Sequence, residues 1–322
     1  MEDIRLGLPS SSSLEQLINC PGSHALQRGL PDPDNPWSLS GTRIHAALAA
    51  GPESPEWLAL HGEELETAER CQRLRDTAFK SWVIEDGGPV QIIKPERLYL
   101  RRGLTPIFSG ECDFIVVQGG RALVLDYKTG FGEQTGSASN PQLMSYAVLV
   151  NEEHGPFESV TVGIVQPLVG GPVELTTYHA DVLPLAKSQI LRAMDEAADP
   201  DAPRIPGKKQ CSFCAKVTCP EFNQQLTVMQ NTQLYPADST LARSITPREL
   251  ADFDERCSFA LSMAAKGKAF VQAVVLANPD AYTGAFSIEE SKGRETIGEL
   301  DTVLARMMEL GVTQEEFMSC LT

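Results

Sequence analysis

The sequence predicts a mixed α/β fold, a β-sheet flanked by helices, followed by a helical C-terminal unit. Three observations predict it. Between residues 10 and 198, segments with apolar residues at helical spacing alternate with β-rich runs, the pattern of helices packed on a sheet. From Thr246 onward β-rich runs give way to helical patterning. The composition, 42% hydrophobic and 22% charged, is that of a folded chain. The 322 residues correspond to about two domains at about 150 residues each.

Ser10-Ser11-Ser12-Ser13 ahead of Leu14, Leu17 and Ile18 is a capped helix start, and Cys20-Pro21-Gly22 stops that helix. A Pro, Asp and Asn loop runs from Pro31 to Pro36. Ser40 to Ala50 reads as a helix carrying His45, and Glu63 to Trp82 as a longer amphipathic one. Val90 to Arg101, Leu104 to Val117 and Arg121 to Tyr127 are β-rich. Gln118-Gly119-Gly120 makes a short hairpin turn between the last two. Asn140 to Asn151 returns to helical spacing, Val160 to Val169 and Pro172 to Tyr178 form a strand pair, and Leu183 to Ala198 is a helix. Asp199 to Pro206 is a Pro/Asp linker, and Asn223 to Ile245 is polar and poorly patterned. Thr246-Pro247-Arg248-Glu249 is a capping box with Pro at the first helical position, opening a helix that can run to Leu276. Thr296 to Leu310 and Thr313 to Cys320 supply two more. The expected organisation is a unit over residues 1–220, a linker over 221–245 and a helical unit without a chemical motif over 246–322.

Net charge is 27 − 43 = −16, which argues against a broad basic footprint for nucleic acid. Two basic islands break the acidic shell. Ala202 to Pro220 contains no acid but holds Arg204, Lys208, Lys209 and Lys216. Between Ile92 and Gly110, Lys94, Arg97, Arg101 and Arg102 face only Glu96. Such islands suit an enzyme that touches a polyanion over a small area, and they also suit plain solvated faces. No apolar run in the sequence reaches the roughly 20 residues of a spanning helix, and Met1 to Ser13 has no basic region followed by an apolar one. The expectation is a cytoplasmic protein with no membrane partner.

The sharpest chemistry lies in Gly110-Glu-Cys-Asp113 and Val124-Leu-Asp126-Tyr127-Lys128. Residues two apart on a strand share a face, so Asp126 and Lys128 project together at the strand's end. Asp113, on the preceding strand, can reach the same edge. Two carboxylates bind hard Mg²⁺ or Mn²⁺ through oxygen, and the cation polarises a phosphate and acidifies a bound water. A lysine beside them can orient that water or neutralise developing charge. The set suits phosphodiester hydrolysis; an Asp–Lys surface pair on a hairpin is the plain alternative.

Eight cysteines are present, and three of them form Cys211-Ser-Phe-Cys214-Ala-Lys-Val-Thr-Cys219, a C-x₂-C-x₄-C set. Thiolates at such spacing select Zn²⁺ or an Fe–S cluster. A tetrahedral site needs a fourth ligand, and Cys20, at a Pro-Gly turn, is the candidate. Cys71, Cys112, Cys257 and Cys320 are isolated and receive no role.

Taken together, Gly41-Thr-Arg-Ile-His45, Glu96, Gly110-Glu-Cys-Asp113, Asp126-Tyr-Lys-Thr-Gly130 and Gln142-Leu-Met-Ser-Tyr146 resemble, in order, the motifs of the PD-(D/E)XK nucleases. Within that superfamily they are most similar to the RecB/AddB-like branch. The resemblance covers roughly Ser10 to Pro220 and implies a restriction-endonuclease-like fold for that unit. It implies a metal-dependent DNA exonuclease acting on linear DNA with ends. Asp113, Asp126 and Lys128 would carry the chemistry. His45 would be a metal ligand or its neighbour, and Tyr127 would offer its backbone carbonyl. Glu96 would join the metal site or hold Lys128. Gln142 and Tyr146, four apart on one helix face, would hold the site or touch the DNA backbone.

The one-plus-three cysteines resemble a [4Fe–4S] ligand set that clamps both ends of the nuclease unit. The last spacing is shorter here than in that branch, which keeps Zn²⁺ open. The serine-rich opening and the added C-terminus look like phage- or prophage-encoded members, which implies a role in recombination or replication in host cytoplasm, with a protein partner from that machinery. A non-catalytic DNA-binding subunit that retains the fold, and a Zn²⁺-stabilised interaction module, are the alternatives.

Overall fold

The structure, a computed structural model, describes residues 7–30, 36–130, 132, 134–212, 214–216, 219–222, 224, 246–282 and 285. The serine run forms a 3-10 turn at Ser11–Ser13, in which the Ser10 N–H donates to Ser13 Oγ at 3.0 Å. Leu14–Asn19 (α1) follows and stops before Cys20-Pro21-Gly22, and Ser23–Gln27 (α2) begins after it. The helix holding His45, Pro36–Ala50 (α3), starts earlier than the expected Ser40, because Pro36 can open a helix where its missing N–H costs nothing. Pro55–Leu58 (α4) is one short turn, and Glu63–Trp82 (α5) has the expected bounds, with three acids in its first turn.

Two of the expected strands are broken, and both breaks matter for the site. The run Val90 to Arg101 divides into Val90–Ile93 (β1) and Arg97–Arg102 (β2). Pro95, which cannot donate to a ladder, lies in the gap. The run Leu104 to Val117 divides into Thr105–Glu111 (β3) and Phe114–Gln118 (β4), with Asp113 in the gap. Strand β2 pairs with β3 in a separate two-stranded sheet. The main sheet has the order β1-β4-β5-β6-β7, where β5 is Arg121–Tyr127, β6 is Ser159–Val165 and β7 is Leu175–His179. Strands β5 and β6 are parallel, and the other pairs are antiparallel. The parallel pair is joined by Pro141–His154 (α6), which Asn140 caps by accepting from the Leu143 N–H at 3.1 Å.

Helices cover both faces of the main sheet. On one face Ile115, Ala122 and Val124 pack with α1, α6 and Leu183–Ala198 (α7), and the β2–β3 hairpin joins them through Leu98, Leu100 and Phe108. On the other, Val116, Leu123, Leu125 and Tyr127 pack with residues of α3, α4 and α5. This is the mixed α/β architecture with a central mixed sheet that the sequence predicts.

Two motif glycines are packing requirements. A Cβ on Gly110 would lie 2.2 Å from Ser11 Oγ and 2.7 Å from Leu149 Cδ1. A Cβ on Gly41 would lie 3.2 Å from Thr129 Oγ1, so α3 sits tightly against the residue after Lys128.

The segment after α7 contains Lys208–Ser212 (α8), and Pro247–Ala277 (α9) opens at the proline that follows Thr246. The chain forms two compact units, Met1–Gly267 and Lys268–Thr322, and α9 runs across the division. The expected helices at 296–310 and 313–320, and nearly all of the 223–245 loop, fall outside the described residues. Within α9, Cys257–Ala277 is long and apolar enough, by length and composition alone, to cross a membrane, with 21 residues at a mean hydropathy of 1.3. That differs from the expectation for the sequence, because the windowed average tolerates the lysines at 266 and 268.

Candidate active site

The alternation of β5 fixes which way each acidic or basic side chain points. Ala122 and Val124 face α6, while Leu123, Leu125 and Tyr127 face α3 to α5. Asp126 therefore projects toward α6, on the parity of Ala122 and Val124. Only 3% of Asp126 is exposed. Its Oδ1 accepts from Gln142 Nε2 and from the Tyr146 hydroxyl, each at 3.1 Å, and Gln142 Nε2 also lies 2.8 Å from that hydroxyl. Burial pushes the Tyr146 phenol well above its ordinary range, so the hydroxyl keeps its proton and acts as the donor.

The second Asp126 oxygen is different. Oδ2 is buried, 2.8 Å from Lys128 Nζ, and no hydrogen bond of acceptable geometry reaches it. The contact is an ion pair by distance alone. Its charge is paired with the Lys128 ammonium, and it is the Asp126 oxygen that a cation would meet, since Gln142 and Tyr146 bond the other.

Asp113 stands one step beyond the Phe114–Leu125 pair of the β4–β5 ladder, opposite Asp126. The strand break places it where its Oδ2 accepts from the Tyr127 backbone N–H at 2.8 Å, while Oδ1 lies 2.8 Å from His45 Nδ1. His45 arrives from α3, and its ring meets the edge of Tyr127 at 5.9 Å between centroids. The structure thus brings His45, Asp113, Asp126, Lys128, Gln142 and Tyr146 together at the end of β5. The Tyr127 side chain points to the opposite face, where Arg75 of α5 engages its hydroxyl.

Protonation in the cluster is set by proximity. Burial raises the Asp126 carboxyl, Lys128 lowers it and Asp113 raises it, and the result is upward. Burial lowers the His45 imidazole, but the hydrogen bond and charge of Asp113 outweigh it, and the imidazole also moves upward. The dyad therefore carries a favourable charge pairing that a cation would replace.

The donor set fits a divalent cation in an open way. Among the described residues no three His, Cys, Asp or Glu side chains close into a cage. Mg²⁺ needs no such cage, since one or two carboxylates suffice when water and substrate phosphate complete the shell. Asp126 Oδ2 supplies one such oxygen, and the Asp113 carboxylate lies opposite it.

Glu96 is not brought into this cluster, contrary to the role that the resemblance implies. It precedes β2, is 61% exposed as a side chain, and its carboxylate lies 3.9 Å from His154 Nε2 at the far end of α6. At 1.5 Å per residue, His154 is about 12 Å along the helix from Tyr146. The reason is the Pro95 break, which sends β2 into the separate hairpin and carries Glu96 with it.

The basic islands are largely paired. Arg97, Arg101 and Arg102 meet Glu111, Glu153 and Asp195 at 2.9, 3.1 and 2.8 Å. Arg204 meets Glu221 at 3.0 Å, and Lys209 meets Glu15 at 2.8 Å. Composition alone hid these partners because the acids come from distant segments.

The cysteines converge from both ends of the nuclease-like unit. Cys20, Cys211, Cys214 and Cys219 line one cavity, which Phe222 and Lys266 also wall. The Ile205 N–H donates to Cys20 Sγ at 3.3 Å, and the Gly207 N–H donates to Cys211 Sγ at 3.4 Å. Burial raises the Cys20 and Cys211 thiols, these amides lower them in part, and the net direction is upward. Backbone amides aimed at sulfur suit thiolate, but among the described residues the cysteines do not stand as a set that closes on a metal ion. The turn that holds Cys20 docks closely, since a Cβ on Gly22 would lie 2.5 Å from the Ala202 carbonyl oxygen. Sequence reasoning missed Arg75 behind Tyr127 and Lys266 beside the cysteines.

Comparison with known proteins places this geometry. A putative exonuclease from Eubacterium rectale is 13% identical, with a TM-score of 0.37, over 61% of this chain and 84% of that one. An alkaline exonuclease from Laribacter hongkongensis is 10% identical, with a TM-score of 0.28, over 70% of this chain and 96% of that one. The same enzyme in complex with dAMP is 11% identical, with a TM-score of 0.28, over 60% and 89%. Likenesses at these scores carry no argument. The family model of the PD-(D/E)XK nuclease superfamily does, because it matches residues 9–220, most of the chain and every element of the cluster. The chain belongs to the PD-(D/E)XK nuclease superfamily.

Proposed function

We propose that the protein is a divalent-metal-dependent DNA exonuclease whose active site is the cluster around Asp126. The observation that carries this reading is the Asp126 carboxylate itself. One oxygen is fixed by Gln142 and Tyr146, and the other is buried beside Lys128 and opposite Asp113 without a hydrogen bond. Asp126 and Asp113 are the proposed ligands, with His45 and the Tyr127 carbonyl beside them. When bound, Mg²⁺ or Mn²⁺ supplies electrostatic stabilisation of the phosphate and a more acidic water.

The chain's own residues do the rest. Gln142 and Tyr146 hold Asp126 in one rotamer, so its free oxygen is already aimed before substrate arrives. Lys128, whose Nζ lies 2.8 Å from Asp126 Oδ2, is placed to direct its ammonium to the attacking water or to a non-bridging phosphate oxygen. His45 and the Tyr127 N–H fix Asp113 by both oxygens. The basic islands are tied by exposed ion pairs worth about 0–1 kcal/mol, so DNA phosphate can exchange for their carboxylates at little cost.

The four cysteines are proposed to hold a structural [4Fe–4S] cluster, with Zn²⁺ as the alternative occupant. End-dependence and a place in phage recombination or replication rest on the motif resemblance. The test is cleavage of end-labelled linear against closed circular DNA, with Mg²⁺ or Mn²⁺ and with EDTA, for wild type and Lys128→Ala. Metal-dependent loss of linear DNA alone, absent in the variant, is the expected result. Cleavage of both DNAs would make the enzyme an endonuclease. Binding without cleavage would favour a DNA-binding subunit.

A further inference from the structure

We infer that the helix beyond the family-matched residues is a strut of the cysteine site, with Lys266 the positioning residue that holds the Cys211–Cys214 loop. The inference deepens the cysteine-site reading above and rests on it for the metal, but the clamp itself is a property of the protein alone.

Lys266 Nζ donates to three backbone carbonyls, those of Cys211, Ser212 and Cys214, at 2.8, 3.0 and 2.7 Å. An ammonium has three protons, and these three acceptors use all of them. The acceptors belong to the two cysteines and to a residue between them, 52 to 55 residues away in sequence. Desolvation of the half-buried ammonium lowers its pKa, and the three carbonyl dipoles act against that cost. Helix α8 is only five residues long, and the Cys211 carbonyl also accepts from the Cys214 N–H at 3.2 Å. Lys266 adds a donor there and ties the Ser212 and Cys214 carbonyls to the same ammonium.

A second contact comes from the same helix face. Phe259 lies seven residues before Lys266, two turns away, and therefore on the same stripe. Its ring meets Phe222 edge-on at 6.1 Å between centroids. Phe222 is 4% exposed and walls the cysteine cavity. The Phe259–Lys266 stretch thus grips the segment on both sides of the thiols. The family match ends at residue 220, so this grip is an addition of the C-terminal extension. It also assigns Lys266 a place in protein rather than in lipid, in the middle of the stretch that, among the described residues, is long and apolar enough to span a membrane.

The experiment uses the full chain, reduced and metal-free, treated with iodoacetamide and read cysteine by cysteine by mass spectrometry. Cys71 and Cys112, both fully buried, report the global fold. Lys266→Met is expected to raise alkylation at Cys211 and Cys214 by about tenfold, through local opening, with Cys71 and Cys112 unchanged. Lys266→Arg is expected to restore much of the protection. In protein purified with its metal, Lys266→Met is expected to lose iron or zinc to a chelator faster than wild type. Wild-type alkylation rates at Cys211 and Cys214 in Lys266→Met overturn the clamp. If Cys71 and Cys112 open too, hydrogen exchange on wild type decides. The Cys211–Cys214 amides and the turns around Lys266 must then open together, and separate opening overturns the proposal. Wild-type protein that retains neither iron nor zinc overturns the metal reading and leaves the clamp to be judged by alkylation.

Discussion

The acidic cluster and the cysteine cavity are built in opposite ways. The hydrogen bonds that shape the first, from Tyr127, Gln142 and Tyr146 to the two aspartates, span 14, 16 and 20 residues, and the longest, between His45 and Asp113, spans 68. Those that shape the second join Gln16 to Gln210, Gln27 to Ala215 and Cys20 to Ile205, across 194, 188 and 185 residues. A strand, its neighbour and the next helix assemble the first as the sheet forms. The second exists only once the chain's distant segments meet, and the entropy of closing such a loop must be offset by a cross-link or by many contacts. The acidic cluster should therefore tolerate loss of chemistry without loss of fold, and the cysteine cavity should show the reverse.

The largest expected effect tests the first half of that contrast. Asp126→Asn keeps the shape but removes the charge proposed to hold a cation. Cleavage should fall on the order of a thousandfold or more, with thermal unfolding within a few degrees of wild type. Titration calorimetry with Mn²⁺ should show weaker binding in the same variant. A variant that still cleaves would remove Asp126 from the chemistry and leave the buried, unbonded oxygen without an account.

The second half is tested by Cys214→Ser. In the chain-entropy account a cross-link that closes a loop of well over 100 residues stabilises the unit by about 5 kcal/mol. Loss of that amount, read by denaturant unfolding, should accompany loss of bound iron or zinc, while cleavage per folded molecule changes little. Unchanged unfolding with lost cleavage would reverse the comparison and make the cysteines part of the chemistry.

A smaller pair of changes compares the two regions directly. Gly22→Ala forces a methyl to 2.5 Å from the Ala202 backbone oxygen and 2.8 Å from Arg204 Cγ, at the join that closes the cysteine cavity. A backbone oxygen cannot rotate away, so a cost of about 1–3 kcal/mol and weaker metal retention are expected. Gly41→Ala brings a methyl to 3.2 Å from Thr129 Oγ1, beside the acidic cluster. A hydroxyl can turn aside, so the cost should stay below about 1 kcal/mol. Equal costs would show that the cysteine join is no tighter than the active-site one.

This contrast also explains what the sequence reveals. Asp126 and Lys128 are legible because strand alternation fixes their face wherever the strand lies. Gln142 and Tyr146 are legible because helical spacing does the same. Asp113 is legible as a residue, but its place in a gap between strands is not. The break depends on β3 leaving for a second sheet, which is a tertiary choice. Cys20 is legible only through chemistry, as the thiol left to complete a set. Lys266 and Arg75 are not legible at all, since their partners are backbone carbonyls and a buried phenol contributed by remote segments. Composition gave the basic islands a single acid, Glu96, yet Glu15, Glu153, Asp195 and Glu221 arrive through the fold.

The smallest expected effect is the most discriminating for the site's boundary. Motif order alone makes Glu96 a partner of the aspartates, whereas the fold leaves it exposed, 3.9 Å from His154. Glu96→Gln removes one carboxylate charge without changing volume. If the cluster ends at His45, Asp113, Asp126, Lys128, Gln142 and Tyr146, cleavage by Glu96→Gln should stay within about twofold of wild type at saturating Mg²⁺, and stability within about 0.5 kcal/mol, as for other exposed substitutions. A loss near that of Asp126→Asn would mean that the link around Pro95 rearranges when DNA binds and carries Glu96 inward. The two outcomes are told apart by the Mg²⁺ dependence of the rate. A true ligand shifts the half-saturating Mg²⁺ concentration upward when its charge is removed, and a surface carboxylate leaves it where it was.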